Sequence, residues 1–388
     1  MDLSVFLRPS AYHDLDPNEF HPQSLFRETV FYRGEEEWPE GIRIALLGVK
    51  EDRNAGINTG CAEGPDRVRG FLYKLFRGDE RIGLMDLGNI EAGESFEDTC
   101  YAVNQTCQTL LRKNIIPLII GGSQDLTFAN YLAYEKMEQT VNLVTIDPML
   151  DFGSSTEDTR STGYLNRIVL HKPNYLFNYS NLGHQRYLTD PDLIELMGKM
   201  YFDLMRLGEV QGNLTLCEPV LRNADIVSFD VSAIRMSESP GCAQVGPNGF
   251  YGEEAAQLCR YAGMSDKLTS FGIYEYNPEF DPNGQSAHLI AQMIWCFFEG
   301  FLSRKSDYPI GTYSDYKRFI IHLNEEAHEL VFYKSPRTDR WWMDVPYPAG
   351  MTQKFERHHL VPCTYDEYLQ ATREEMPDRW WRTYQKLV

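Results

Sequence analysis

From residue 43 onward the chain alternates short, almost unbroken apolar runs with stretches whose apolar positions recur at helical spacing. The runs at 43–49, 115–122, 141–147, 224–234 and 268–277 read as strands, and "EDTCYAVNQTCQTLLRKN" (97–114) and "DLTFANYLAYEKM" read as helices. A strand that is apolar at consecutive positions is buried on both faces; a half-exposed strand would alternate. Such strands, separated by helices, predict a three-layer α/β/α fold with a mostly parallel central sheet covered on each side. Ligands of such sheets bind beyond the carboxyl ends of the strands.

After about residue 305 the pattern changes. Residues 319–335 read as two strands around a polar turn, "SPRTDRWWMDVPYPAG" as a proline-punctuated loop, and "TYDEYLQATREEM" as a helix whose start is marked by the capping-box spacing of Thr364 and Glu367. The tetrapeptide "DRWW" occurs at 339–342 and again at 378–381. One recurrence this short does not define a repeat architecture. Trp341, Trp342, Trp380 and Trp381 are then either cover for the chain's own sheet or anchors for a protein partner, the structural role being favoured. The chain divides into an N-terminal arm (1–40), an α/β core (41–305) and a C-terminal α+β extension (306–388).

Composition narrows the function. With 388 residues, 43% of them hydrophobic, the chain can bury one large core. A formal net charge of -19 argues against a nucleic-acid partner and against docking on an anionic membrane surface. No basic start followed by an apolar run opens the sequence, and no stretch is long and apolar enough to span a bilayer, so a cytoplasmic protein is expected. The eight cysteines show neither C-x-x-C pairs nor zinc spacing, and read as reduced, mostly buried thiols.

Four strand ends carry the candidate chemistry: "IIPLIIGGSQDLT", "LVTIDPMLDFG", "IVSFDVSAIRMSESPG" and "IYEYNPEFD". In this order they resemble the ureohydrolase superfamily of arginases, agmatinases and formimidoylglutamases. The entry segment "GVKEDRNAGINTGCAEGPDRVRGFLY" is similar as well, and "STGYLNRIV" and "LFNYSNLGHQRYL" lean toward the formimidoylglutamase branch. The likeness covers roughly residues 41–305 and implies an arginase-like fold and, by analogy, a homo-oligomer, trimeric or hexameric. In that family two manganese ions lower the pKa of a bridging water, which attacks the carbon of a linear amidine. Their ligands are the histidine of G-G-D-H, the Asp, His and Asp of D-A-H-x-D, and both aspartates of D-x-D.

Carried over residue by residue, Asp147, Asp151 and Asp230 match this set. Gln124 stands at the first histidine, Met149 at the second, and Ser232 at the last aspartate. The core's own histidines, His171, His184 and His288, lie outside these motifs. Gln124, Asp147, Asp151 and Asp230 form an all-oxygen set suited to one hard cation, magnesium, calcium or manganese, while Met149 and Ser232 leave the second position without good donors. Dinuclear manganese is therefore not expected. Two readings stay open: a single bound cation, or no cofactor, with the carboxylates neutralised by protons, hydrogen bonds or the nearby Arg235 or Arg167. Glu275 matches a family glutamate that contacts the cationic end of the substrate, with Asn166, Arg167 and Arg235 as further pocket residues. A small cationic or amidine-like ligand would suit them. The expected protein is a formimidoylglutamase-like binding or scaffold protein lacking manganese-dependent hydrolysis; the alternative is an active hydrolase of C–N bonds in linear amidines working with one metal or an altered ligand set.

Overall fold

The computed structural model describes residues 2–34, 37–153, 160–309, 314–323, 328–350 and 355–388. The largest sheet has ten strands: β1 (Leu7–Arg8), β2 (Val30–Phe31), β3 (Ile44–Lys50), β4 (Leu84–Glu91), β5 (Ile116–Ile120), β6 (Val141–Ile146), β7 (Leu176–His184), β8 (Asp203–Arg206), β9 (Ile226–Asp230) and β10 (Ser270–Tyr274). Their order is β1-β4-β3-β5-β10-β9-β6-β7-β8, with β2 also on β4, and only β1 runs antiparallel to its neighbour.

The apolar runs build this sheet because both faces are covered. On β3, Ile44 and Leu46 enter one hydrophobic cluster and Ala45, Leu47 and Val49 the other. This is the two-residue period of a strand sandwiched between layers. The helices Gly252–Gly263 and Gln285–Leu302 fill the first cluster with Leu258, Ile290, Ile294 and Phe297. The helix Phe96–Arg112 fills the second with Val103, Cys107 and Leu110, and starts on a capping box between Ser95 and Asp98. The three-layer expectation holds.

The N-terminal arm does more than lie over the core. Its β1 pairs with β4 through Leu7↔Ile90 and Arg8↔Asn89, so it extends the sheet. The strand β4 itself is hidden in the sequence by Asp86 and Asn89, both buried. Arg69, fully buried, donates through Nε and Nη2 to the two Asp86 oxygens, each at 2.9 Å, and that pairing lets a carboxylate sit inside a sheet.

The C-terminal extension forms a second sheet, β11 (Lys317–Leu323), β12 (His328–Lys334), β13 (Trp341–Asp344) and β14 (Leu360–Cys363), antiparallel throughout. The turn expected between β11 and β12 lies at 324–327, outside the described residues. The tryptophan-rich segment is not the loop expected, because Trp341 and Trp342 begin β13. The second "DRWW" opens the helix Asp378–Leu387, so one tetrapeptide takes two structures and no repeat exists. Trp341, Trp342 and Trp380 are buried within the chain at 7%, 0% and 5% exposure, as cover for its own sheet requires, while Trp381 is 46% exposed. The helix Tyr365–Thr372 starts on the expected Thr364/Glu367 capping box.

This second sheet packs at the amino ends of the core strands. Arg357 pairs with Asp225, just before β9, at 2.6 Å, and His358 hydrogen-bonds Thr140, just before β6, at 2.8 Å. The carboxyl ends at the opposite edge are left for the site. All eight cysteines are free thiols, seven of them buried. Among the described residues no helix is long and apolar enough to cross a membrane.

Candidate functional site

Four adjacent strands, β5-β10-β9-β6, deliver the candidate residues. Each ends beside its neighbour, so Gln124, Glu275, Asp230 and Asp147 emerge at one place, and Asp151 joins them from the loop after β6. The turn after β5 depends on glycine: a side chain on Gly122 would meet the Glu51 carbonyl oxygen at 1.9 Å, so only glycine lets the two backbones cross. That closeness brings Gln124 over the strand ends.

Asp147, Asp151 and Asp230 each present an oxygen within 4.8 Å of the others, all buried. Backbone amides hold two of them, Met149 N–H donating to Asp147 Oδ1 and Ser232 N–H to Asp230 Oδ1, each at 2.7 Å. The Gln124 amide lies among the three. With its nitrogen turned inward it donates to Asp151 at 3.0 Å, Asp147 at 3.1 Å and Asp230 at 3.3 Å, while its oxygen accepts from the Tyr164 and Ser228 hydroxyls at 3.3 Å. Turned the other way, its oxygen opposes three carboxylate oxygens. Hydrogen bonding selects the first orientation when no cation lies between them.

Burial dominates the electrostatics. It pushes the Asp147 carboxyl up to about 7 and, with the Asp147 charge adding to it, Asp230 up to about 8. Asp151 lies well above the carboxylate range through burial and the charges of Asp147 and Asp230. Glu275 is raised to about 8 by burial and then by Asp230. Like charges close together in a desolvated site retain protons.

The arginines do not supply the missing charge. Arg235 donates to the Gly249 carbonyl and its guanidinium carbon stands 3.4 Å from the centre of the Tyr251 ring. Arg167 stacks on Phe128 at 4.4 Å and lies 5.5 Å from Phe96. Both are engaged by aromatic faces, a setting a planar guanidinium favours. Asn166, beside Arg167 on the helix Tyr164–Leu170, is buried with its Oδ1 unpartnered. His184 is not among the residues whose ligand atoms converge with those of Asp147, Asp151 and Asp230, and its Nδ1 is buried without a hydrogen-bond partner among the described residues. Met149 is half-buried, and the Ser232 hydroxyl is buried without a partner.

Sequence reasoning missed the residues that fasten the site. Asn58 donates to Glu275 Oε2 at 2.7 Å and to the Glu275 carbonyl at 3.0 Å, and accepts from Ala243 N–H at 2.9 Å. Asn181 donates to the carbonyls of Asp147 and Met149 at 3.2 and 3.0 Å, tying their loop to β7. Asp125, with its carboxyl raised to about 6 by burial, is bonded to Ser123 and Asn54. The one available signal was a polar residue between turn-forming neighbours, as in "GINTG".

Known proteins place this geometry. Formimidoylglutamase from Staphylococcus aureus (strain MSSA476) is 24% identical over 300 residues, spanning 74% of this chain and 95% of that protein. Its counterpart from Streptococcus gordonii is 25% identical over 281 residues, spanning 66% and 84%. Among solved structures, Trypanosoma cruzi formiminoglutamase with manganese superposes at a TM-score of 0.63 and 22% identity, covering 69% of this chain and 95% of that one. Bacillus subtilis formimidoylglutamase gives 0.66 at 18% identity, covering 78% and 98%. The family model described as "Arginase family" matches residues 42–299, the span that contains every strand end of the site. The chain belongs to the arginase family.

Proposed function

We propose that this formimidoylglutamase-like protein does not carry out two-metal hydrolysis and acts as a binding or scaffold protein. The position of the Gln124 amide among Asp147, Asp151 and Asp230 is the observation that supports this most directly. An amide nitrogen with two protons, shared among carboxyls that retain protons of their own, compensates the cluster from within the chain.

The family's pair of manganese ions fits the donor set poorly. At the second position the sequence offers the Met149 thioether and the Ser232 hydroxyl, and that hydroxyl is buried without a partner. Neither is a good ligand for manganese. No hydrolytic step is derived through such a pair.

A second reading has its own support. With the Gln124 oxygen inward, four oxygens from Gln124, Asp147, Asp151 and Asp230 would surround one point, a set suited to a single hard cation such as magnesium, calcium or manganese. In that case a linear amidine could be hydrolysed with one ion, Glu275 receiving its cationic end. Under either reading Glu275, 5% exposed, favours a small cationic ligand over an anionic one.

Elemental analysis of purified protein, run beside an assay of formamide release from formimidoylglutamate with added manganese, tests the proposal. The expected result is no turnover. Two ions per chain, or turnover that disappears on Asp230→Ala, would overturn it.

A further inference from the structure

The C-terminal sheet lies beyond the family match, which ends at residue 299, and one of its margins is open. Its outermost strand is β11. It pairs with β12 on one side, and among the described residues no backbone group bonds to it from the other. An open strand margin presents a row of N–H and C=O groups that can template a further strand, and chains block it with shortness, proline or a bulge. β11 uses none of these. Its seven residues, Lys317–Leu323, pair one for one with β12 without a register shift, and its fixed charges stand only at its first two positions, Lys317 and Arg318.

The residues of β11 select which strand fits. Side chains alternate along it, so Phe319, Ile321 and Leu323 pack on the cluster beneath the sheet, while Arg318, Ile320 and His322 are exposed on the other face. Two copies of β11 laid antiparallel about a two-fold axis at Ile320 match on both faces. Phe319 of one copy then falls beside Ile321 of the other. With their β12 neighbours, the row across the join reads Phe332, Phe319, Ile321, Leu330, and on the opposite face it reads Val331, Ile320, Ile320, Val331. Both rows are apolar throughout, and such cross-strand neighbours are what stabilises a sheet. A slip of one residue would set Phe319 beside His322 and break both rows.

Charge agrees with this pairing. Arg318 is exposed and has no acidic partner among the described residues. Across the join it comes beside His322 of the second copy, whose own β12 neighbour is Glu329, 55% exposed. The symmetry makes this Arg–His–Glu row occur twice, with opposite charges at its ends.

We infer that β11 is an interaction surface for a second copy of this chain, the two strands pairing antiparallel about Ile320 and joining the two four-stranded sheets into one. The inference is independent of the aspartates. Seven residues a side, against roughly 20–30 in a standard interface, make this association reversible and dependent on concentration.

Sedimentation equilibrium of the full chain across the micromolar range tests the inference, and the apparent mass is expected to rise with concentration. Ile320→Lys, at a position 43% exposed, should weaken the association by at least about tenfold and leave the melting temperature unchanged. Cross-linking reads the register. Ile320→Cys sets two thiols together at the axis, so oxidation with diamide should join the chains in pairs, above the background of a parent with seven of its eight thiols buried. Arg318→Cys should not cross-link: its thiols would stand four residues out of step, about 13 Å at roughly 3.3 Å per residue, whereas a disulfide spans at most about 7 Å between Cα atoms. Adding His322→Cys to Arg318→Cys should restore the cross-link. An apparent mass independent of concentration would overturn the inference and leave the margin to a strand of another protein. Association untouched by Ile320→Lys, or Arg318→Cys cross-linking as readily as Ile320→Cys, would overturn it as well.

Discussion

Glu275 and Gln124 are locked to each other across the join between β10 and β5. The Gln124 N–H donates to Glu275 Oε1 at 2.8 Å, while the Glu275 N–H donates to the Gly122 carbonyl, also at 2.8 Å. Between these bonds Glu275 adopts φ 66°. The left-handed conformation costs a non-glycine residue roughly 1–2 kcal/mol. Such a conformation persists where its surroundings over-determine it, and it sits here at the candidate site.

Asn58 supplies the remaining contact to that carboxyl, at 2.7 Å, and also accepts from Ala243 N–H. Asn58→Ala leaves a buried carboxyl oxygen and a backbone donor unmatched. The expected loss of unfolding free energy is about 1–3 kcal/mol. Chemical denaturation measures it, and a variant as stable as the parent would show that Asn58 is not what holds Glu275.

The buried carboxyls make stability depend on pH in a defined direction. Asp147, Asp230 and Glu275 are raised to about 7, 8 and 8, against unfolded values of about 4. A group whose folded pKa is raised contributes stability that is fully present below its unfolded pKa and is lost as pH rises through its folded pKa. The metal-free protein should therefore lose stability steadily from about pH 4 to about pH 8. Denaturation midpoints near pH 5 and near pH 8.5 read this. Asp151→Asn, which removes one charge from the cluster, should flatten the slope; a protein more stable at the alkaline end would contradict the assignment.

The C-terminal sheet is fastened to the core by Arg222. This buried guanidinium donates to the carbonyls of Trp341 and Cys363 at 3.2 and 3.1 Å, pairs with Glu218 at 3.1 Å and lies over Trp342 at 4.6 Å. Arg222→Ala leaves the two carbonyls without their donor while Glu218 keeps Arg340 at 3.2 Å, and a loss of about 1–3 kcal/mol is expected for the unmatched buried groups. Urea titration followed by tryptophan fluorescence measures it, since Trp341 and Trp342 flank the broken contact. A loss under about 1 kcal/mol would assign the docking to other contacts.

The central strands were legible because Ile44–Lys50 and Ile116–Ile120 are apolar at almost every position, a pattern only a covered sheet produces. Asp147, Asp151 and Asp230 were legible because strand ends fix where side chains emerge. What stayed hidden has one cause, long-range polar pairing. Strand β4 looked polar because Asp86 is answered by Arg69, 17 residues earlier. Asn58 reaches Glu275 across 217 residues of sequence. The reverse error came from short-range reasoning: Arg235 and Arg167 lie near the aspartates in sequence, yet Tyr251 and Phe128 hold their guanidiniums elsewhere.

Restoring the nitrogen and carboxylate donors provides the sharpest test of why the chain would lack two-metal chemistry. The triple substitution Gln124→His, Met149→His and Ser232→Asp replaces the amide among the aspartates with an imidazole and supplies the second position with donors that manganese accepts. Asp147 and Asp230 already have one oxygen fixed by the backbone amides of Met149 and Ser232, which the substitutions retain. Binding stabilises the folded state by mass action, about 2.7 kcal/mol at a hundredfold excess over Kd. Added manganese should therefore raise the melting temperature of the variant and leave the parent unmoved, with elemental analysis showing two ions in the variant. A parent chain that responds to manganese as strongly as the variant would overturn the proposal that Gln124, Met149 and Ser232 keep two manganese ions from binding.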